Sequence, residues 1–357
     1  MLIKPRHGVS RRTILQGSAA IGVSVVTGPK MAWAREDVVN VYNWPTYIGE
    51  TTIETFEETT GTRVRYDLFA SNDELIGKLS AGNPGYDVVV ASDYAVDLLR
   101  KQDLLMPLNY DLIPNADYLE EGFKNPVFDP GRVYSLPHAI STIGTGFRKS
   151  EISREDASTW GIYFDNSILA GKKSLYDGSR LTMGIALQYL GYSVNTVDEK
   201  EINEARDLLV AANEAILTFA PDSGQDLLAA GTAHAALEWS GDILQVMLED
   251  DDLDFVVPKE GGLAWGDHWA VPTGAPNIEN AMKWINHVYD PEVQAEIQNT
   301  IRYGTANGEA KKYINPDDVN NPVIYPPAEV WEKAEPIVDV GEANRLYDDA
   351  WTVIRSS

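Results

Sequence analysis

Residues 38–99 open on Val38-Val39-Asn40-Val41-Tyr42, a short apolar run of strand type, and the order of elements after it decides the fold class. Thr52 to Thr60 has helical spacing, with Ile53 and Phe56 on one face and Gly61 as its stop. Arg63-Val64-Arg65-Tyr66 alternates as a strand. Asn72 is expected to cap a helix running through Leu79, with Leu75, Ile76 and Leu79 on one side. Asp87-Val88-Val89-Val90-Ala91 reads as a buried strand, and a helix carrying Val96, Leu98 and Leu99 comes next. This βαβαβα order predicts an α/β fold on a mainly parallel sheet with helices on both faces.

The second half repeats the logic without repeating the sequence. Ile202 to Thr218 is expected to be one long amphipathic helix. Thr232 to Trp239, Asp254 to Val257 and Leu263 to Val271 read as strands, and Asp242 to Leu248 as a helix that Asp242 is placed to cap. Ile278 to Val288 and Glu292 to Ile301 read as helices separated by Asp290-Pro291. The acidic run Glu249 to Asp252 lacks the Gly and the spaced Glu of a calcium loop and reads as a solvated face.

The chain has 357 residues, enough for about two domains, and 44% of them are hydrophobic. With no Cys, thiol catalysis, disulfides and Cys-ligated metals are excluded. A net charge of −25 argues against a nucleic-acid partner, which requires a basic surface. Residues 1–34 carry five basic residues and no acid, then a mildly apolar stretch from Thr13 to Gly28 and Ala32-Trp33-Ala34. That is the pattern of an export signal cleaved after about Ala34. Ser10-Arg11-Arg12-Thr13-Ile14-Leu15 resembles the twin-arginine motif, the alternative being a general secretory signal with a chance Arg pair. No Cys follows for lipid attachment, so a free periplasmic protein is expected. Without residues 1–34, 24 basic residues face 54 acidic ones, a net charge of −30.

Known catalytic patterns are missing. His138, His234, His268 and His287 show no metal-ligand spacing, and there is no G-x-S-x-G elbow. Gly171-Lys172-Lys173-Ser174 lacks the first Gly of a phosphate loop, and no G-x-G-x-x-G comes after the first strand. Aromatic and carboxylate residues recur at strand ends instead: Tyr42-Asn43-Trp44-Pro45-Thr46-Tyr47, Ser92-Asp93-Tyr94, Glu238-Trp239-Ser240-Gly241-Asp242 and Trp265-Gly266-Asp267-His268-Trp269. Ligands of open α/β sheets lie outside the carboxyl ends of strands. Aromatic faces there attract ammonium groups, and carboxylates supply charge-assisted hydrogen bonds. The same residues could serve only as core aromatics and helix caps. As a group they fit an amine-binding cleft.

From about Val39 onward the chain resembles the periplasmic spermidine/putrescine-binding proteins of ABC importers. Tyr42–Tyr47, Phe56-Glu57-Glu58-Thr59-Thr60-Gly61, Ser71-Asn72-Asp73-Glu74 and Gly85–Ser92 carry the resemblance, with Pro258-Lys259-Glu260-Gly261-Gly262, Pro291-Glu292-Val293 and Ile324-Tyr325-Pro326-Pro327-Ala328 further on. The resemblance implies a two-lobed periplasmic binding protein fold with a cleft between α/β lobes, crossed by the chain near residues 142, 266 and 311. One lobe would then hold 35–142 with 267–311, the other 143–266 with 312–357. It also implies closure on a small amine ligand, docking to a membrane permease, no enzymatic activity, no cofactor and a monomer. Residue by residue it implies ligand contacts by Trp44, Tyr47, Ser92, Tyr94, Trp239, Asp242, Trp265, Asp267 and Tyr303.

The departures bear on the ligand. Pro45 and Thr46 stand where the family often has a polar residue and an acid, Leu181 stands where it usually has a carboxylate, and a family Gln is missing near Ile337. One amine pocket, Asp242 with Asp267, is retained, whereas the second ammonium has lost its usual acids. A buried ammonium without a counter-ion costs several kcal/mol. Arg180 therefore suggests an alternative, an ω-amino acid such as 4-aminobutyrate with its carboxylate on Arg180, unless that arginine only braces an acid. An exported hydrolase would need a carboxylate pair across an open cleft. A ferric-ion binder is discounted because Tyr303 and Tyr313 stand ten residues apart, not side by side. A purely sensory binding protein would carry the same residues as a transporter's.

Overall fold

The computed structural model describes residues 37–221 and 223–357. The expected export signal lies outside the described residues. Among them are eleven strands: β1 (Val38–Asn43), β2 (Arg63–Leu68), β3 (Val88–Ser92), β4 (Leu105–Met106), β5 (Ser135–Arg148), β6 (Lys173–Tyr176), β7 (Ile216–Ala220), β8 (Ala235–Trp239), β9 (Leu253–Val256), β10 (Leu263–Pro272) and β11 (Glu335–Pro336). The main path through the sheet is β2-β1-β3-β10-β5-β8-β6-β7, with β4, β9 and β11 alongside.

Each end of this path is parallel, as the sequence predicts: β1 with β2 and β3, β6 with β7 and β8. The middle is not. β10 runs antiparallel to both β3 and β5, and β5 runs antiparallel to β8 and β9. Two long strands thus join the two parallel ends of the sheet. On β10, Asp267–Ala270 pair with β3 while Leu263–Ala264 pair with β11. On β5, the pairing with β8 spans Ile143–Phe147. The β5–β10 register shifts between Asp267 and His268, leaving His138 as the extra residue of a bulge. Every residue of β5 but its last is buried, which suits strands covered on both faces. Trp160, Trp269 and Trp284, all fully buried, share the largest apolar core.

Local structure departs from the sequence reading at three places. The helix expected over Ile202–Thr218 spans Glu199–Ala212, and Ile216–Ala220 is strand β7. Parallel pairing with β6 gives that segment backbone partners that a longer helix would forgo. Ser71, not Asn72, caps the helix Asn72–Ser80 by accepting the Glu74 N–H. The helix after β8 starts at Ser240 with Trp239 at the cap position, so Asp242 sits inside the first turn instead of capping it.

Close approach of β5 to β9 depends on Gly144. A Cβ there would lie 2.4 Å from the Val256 carbonyl oxygen and 2.7 Å from the Phe255 ring. Gly144→Ala should destabilise the protein by about 1–3 kcal/mol in urea unfolding, the usual range for overpacking. An unchanged midpoint would mean that the two strands part freely.

Candidate functional site

The site is built where β1, β3 and β8 end and along the middle of β10. Trp44 to Tyr47 form the turn after β1, and Thr46 takes a left-handed conformation there (φ 51°). Behind the turn, His138 Nε2 donates to the Tyr47 carbonyl (3.1 Å), an assignment that follows because a carbonyl only accepts. Burial holds the His138 pKa down at about 3, so the ring is neutral. Gln294 and Gln298 donate to the His138 carbonyl at 3.1 and 2.9 Å, fixing the bulge from below.

A cavity of about 290 Å³ opens between these elements. It is lined by Trp44, Pro45, Thr46, Tyr47, Gln225, Asp226, Trp239, Asp242, Trp265, Asp267 and Tyr303. Its aromatic walls are mutually braced edge to face: Tyr47 with Tyr303 at 5.3 Å and Trp239 with Trp265 at 5.8 Å between centroids. Tyr303 comes after Arg302, which ends the preceding helix in a left-handed conformation (φ 61°). The Tyr303 ring lies on Gly241, where a Cβ would come within 2.4 Å of ring carbons.

Asp267 is the buried carboxylate of the site, 5% exposed. Its Oδ2 accepts from the Tyr47 hydroxyl (3.0 Å) and Trp265 Nε1–H (3.3 Å), and its Oδ1 from the Ser92 hydroxyl (2.8 Å). Ser92 is itself set by Asn72, whose amide donates to its oxygen at 2.8 Å. All three donors to Asp267 are neutral, and among the described residues no basic side chain lies within ion-pair distance of it. Burial raises its pKa to about 7, against the hydrogen bonds of Ser92 and Tyr47.

A second cavity, about 450 Å³, shares Trp265 as a wall. Tyr94, Tyr176, Asp177, Arg180 and Leu181 line it, with Asp73, Asp339 and Asp348. Tyr94 faces Trp265 at 6.4 Å between centroids. Arg180 Nη1 donates to the Val338 carbonyl (2.9 Å) and Asn344 Oδ1 (3.2 Å), and Nη2 to Asn195 Oδ1 (3.0 Å) and the Val194 carbonyl (3.4 Å). The guanidinium also stacks over Tyr347, 4.5 Å from the ring centroid. It braces lobe structure through carbonyls and amides, not through an acid.

Of the ten residues singled out in the sequence, Trp44, Tyr47, Trp239, Asp242, Trp265, Asp267 and Tyr303 share the first cavity. Tyr94 and Arg180 line the second, and Ser92 stands behind Asp267. Sequence reasoning misses Gln225 and Asp226 because β7 reads as helix. Once β7 is a strand, the rule of strand carboxyl ends points to them. The Gln225 Oε1 atom is buried without a hydrogen-bond partner.

Residues 51–327 match the family described as bacterial extracellular solute-binding protein. A spermidine/putrescine-binding periplasmic protein of Salmonella typhimurium is 31% identical over 352 residues, covering 97% of this chain and 98% of the relative. A putrescine/cadaverine-binding protein of Pseudomonas aeruginosa is 30% identical, covering 93% and 97%. The structure of a spermidine/putrescine ABC transporter substrate-binding protein from Streptococcus pneumoniae superimposes with a TM-score of 0.77 at 25% identity, covering 89% of this chain and 99% of that one. The fold is that of the two-lobed periplasmic binding proteins.

The raised Asp267 pKa has a stability signature. The folded protein holds this proton up to about pH 7, whereas an unfolded carboxyl releases it near 4. The contribution to stability is full below about pH 4 and is lost as pH rises through 7. Relative to Asp267→Asn, the native protein should therefore lose melting temperature between pH 4 and 7. A difference that is flat with pH would contradict the assignment.

Proposed function

We propose that this chain, which belongs to the bacterial extracellular solute-binding protein family, captures a polyamine outside the cytoplasm and delivers it to an ABC permease. The observation that carries the reading is Asp267, a buried carboxylate with three neutral donors and an aromatic cage. A cation completes such a group, and the flat faces of Trp239 and Trp265 suit a methylene chain bearing that cation. Asp242 and the free acceptor of Gln225 stand on the same cavity wall for the remaining ammonium protons. Similarity to relatives described as binding spermidine, putrescine or cadaverine supports the same ligand class. Export through residues 1–34 and lobe boundaries near 142, 266 and 311 belong to this reading.

The far end of the ligand enters the second cavity past Trp265. Leu181 offers it no charge, but Asp73, Asp177, Asp339 and Asp348 line that space. The ω-amino acid alternative is disfavoured because both terminal nitrogens of Arg180 are already committed to four protein acceptors, leaving Nε–H alone for a carboxylate and no two-pronged contact.

Isothermal titration with putrescine, spermidine and 4-aminobutyrate tests the reading: heat with at least one polyamine and none with 4-aminobutyrate is expected. Asp267→Asn should weaken polyamine binding at least tenfold, since hydrogen bonds to charged groups contribute about 1.5–3 kcal/mol. An unchanged dissociation constant would remove Asp267 from the site. Arg180→Met should lower the melting temperature while leaving polyamine affinity equal or tighter. Weaker polyamine binding would place the arginine on the ligand.

A further inference from the structure

Behind Asp267 lies a set of buried charged groups that the binding reading does not use. Asp93, 6% exposed, opens the helix Asp93–Lys101. Its Oδ2 accepts the Gly266 N–H (3.1 Å), and its Oδ1 lies 2.5 Å from His268 Nε2. On the other side of the ring, His268 Nδ1 lies 3.2 Å from Arg132 Nη1. Arg132 also donates to the Phe123 carbonyl (2.7 Å) and stands by Ser135, whose hydroxyl donates to Asp129 (2.7 Å).

The protons follow from chemistry. A guanidinium has donors only, so His268 Nδ1 accepts, and Nε2 carries the hydrogen that goes to Asp93. The imidazole is then neutral, in keeping with a pKa lowered by burial and by Arg132. Both Asp93 oxygens accept from N–H groups; burial raises its pKa to about 7, and Arg132 and the Gly266 N–H work against that rise. Arg132 is the internal counter-ion of Asp93, and His268 is the link. Gly266, the residue Asp93 holds, lies between Trp265 and Asp267, and a Cβ there would come within 3.1 Å of Asp93 Oδ1 and the His268 ring.

We propose that Asp93, His268 and Arg132 form a buried positioning relay that locks the Trp265–Asp267 segment and, by placing a second carboxyl group with its own internal counter-ion behind Asp267, makes the Asp267 carboxylate depend on an incoming cation. Two carboxylates thus stand at the end of one strand pair. One has its cation built in, and the other receives its cation from the ligand. Other ionisable groups facing Asp267 are Tyr47 at its oxygen and Tyr303, Asp242 and Asp226 around the cavity. Asp93 itself raises the Asp267 proton affinity, and Asp129, Tyr110 and Tyr289 act on Arg132.

The inference rests on the amine-binding reading for its purpose but not for its test. Carbon-13 carboxyl NMR of the unliganded protein, with Asp267 assigned by loss of its signal in Asp267→Asn, gives the Asp267 titration midpoint directly. Asp93→Asn should move that midpoint to lower pH by about half a unit or more, as removal of a like charge requires. If Asp93→Asn does not fold, Asp93→Thr removes the same charge while keeping an oxygen at the helix start. His268→Gln, whose amide can accept from Arg132 and donate to Asp93, should leave the midpoint in place. The pH below which putrescine affinity falls should shift in parallel. A midpoint unmoved by loss of the Asp93 charge would reduce Asp93 to a helix-start and strand-bracing residue and overturn the relay. Failure of putrescine to bind at all would count against the ligand reading alone.

Discussion

Asp267 is held out of water by three neutral hydrogen-bond donors, and the geometry around it follows from that constraint. A lone ionised carboxylate in an apolar setting is unstable unless it is paired or hydrogen-bonded. Here Tyr47, Ser92 and Trp265 satisfy the oxygens, but they leave the charge itself uncompensated. Each donor must then be held in turn. Tyr47 is tied through its carbonyl to His138, Ser92 through its hydroxyl to Asn72, and Trp265 through the neighbouring Gly266 N–H to Asp93. The supporting shell is drawn from segments distant in sequence.

Such a site requires strands that join the two parallel ends of the sheet. β5 and β10 do this: they pair with each other, and β10 pairs on with β3 while β5 pairs on with β8. A residue in the middle of β10 can therefore face the cleft and still be part of a continuous ladder. The bulge at His138 places a buried neutral ring under the Tyr47 turn at the point where the strands change partners. The same arrangement puts the aromatic rings of β8 and β10 against each other without a loop between them.

Much of this was legible in residue order. Val38–Tyr42, Arg63–Tyr66 and Asp87–Ala91 announce strands because apolar and β-branched residues recur with the strand period, and Gly61 announces a stop. Trp44, Trp239, Trp265 and Asp267 announce a site because aromatic and acidic residues cluster at strand ends. The illegible parts have specific causes. Ile216–Ala220 continues a helical pattern with no stop residue, and only pairing with β6 makes it a strand. The antiparallel middle of the sheet leaves no local mark, since a strand's periodicity is the same in either direction. Arg180 looked available for a ligand because its partners, Val338, Asn344, Val194 and Asn195, lie 14 to 164 residues away.

Residue order was enough for the α/β class, the elements over residues 38–99 and most of the side chains that line the first cavity, because these depend on local periodicity and on which side chains are present. Which groups meet was settled by packing. Packing put Asp93, in sequence one of several acids at strand ends, against His268 with Arg132 on the far side of the ring, and it put Gln225 into the cavity. It also left Asp267 with neutral partners while giving Asp93 a cation. A buried charge is compensated only by the opposite charges and hydrogen-bond donors that packing brings within a few ångströms of it, so compensation is set by three-dimensional neighbours and not by composition. That is why a net charge of −25 says little about the ligand and one buried aspartate says much.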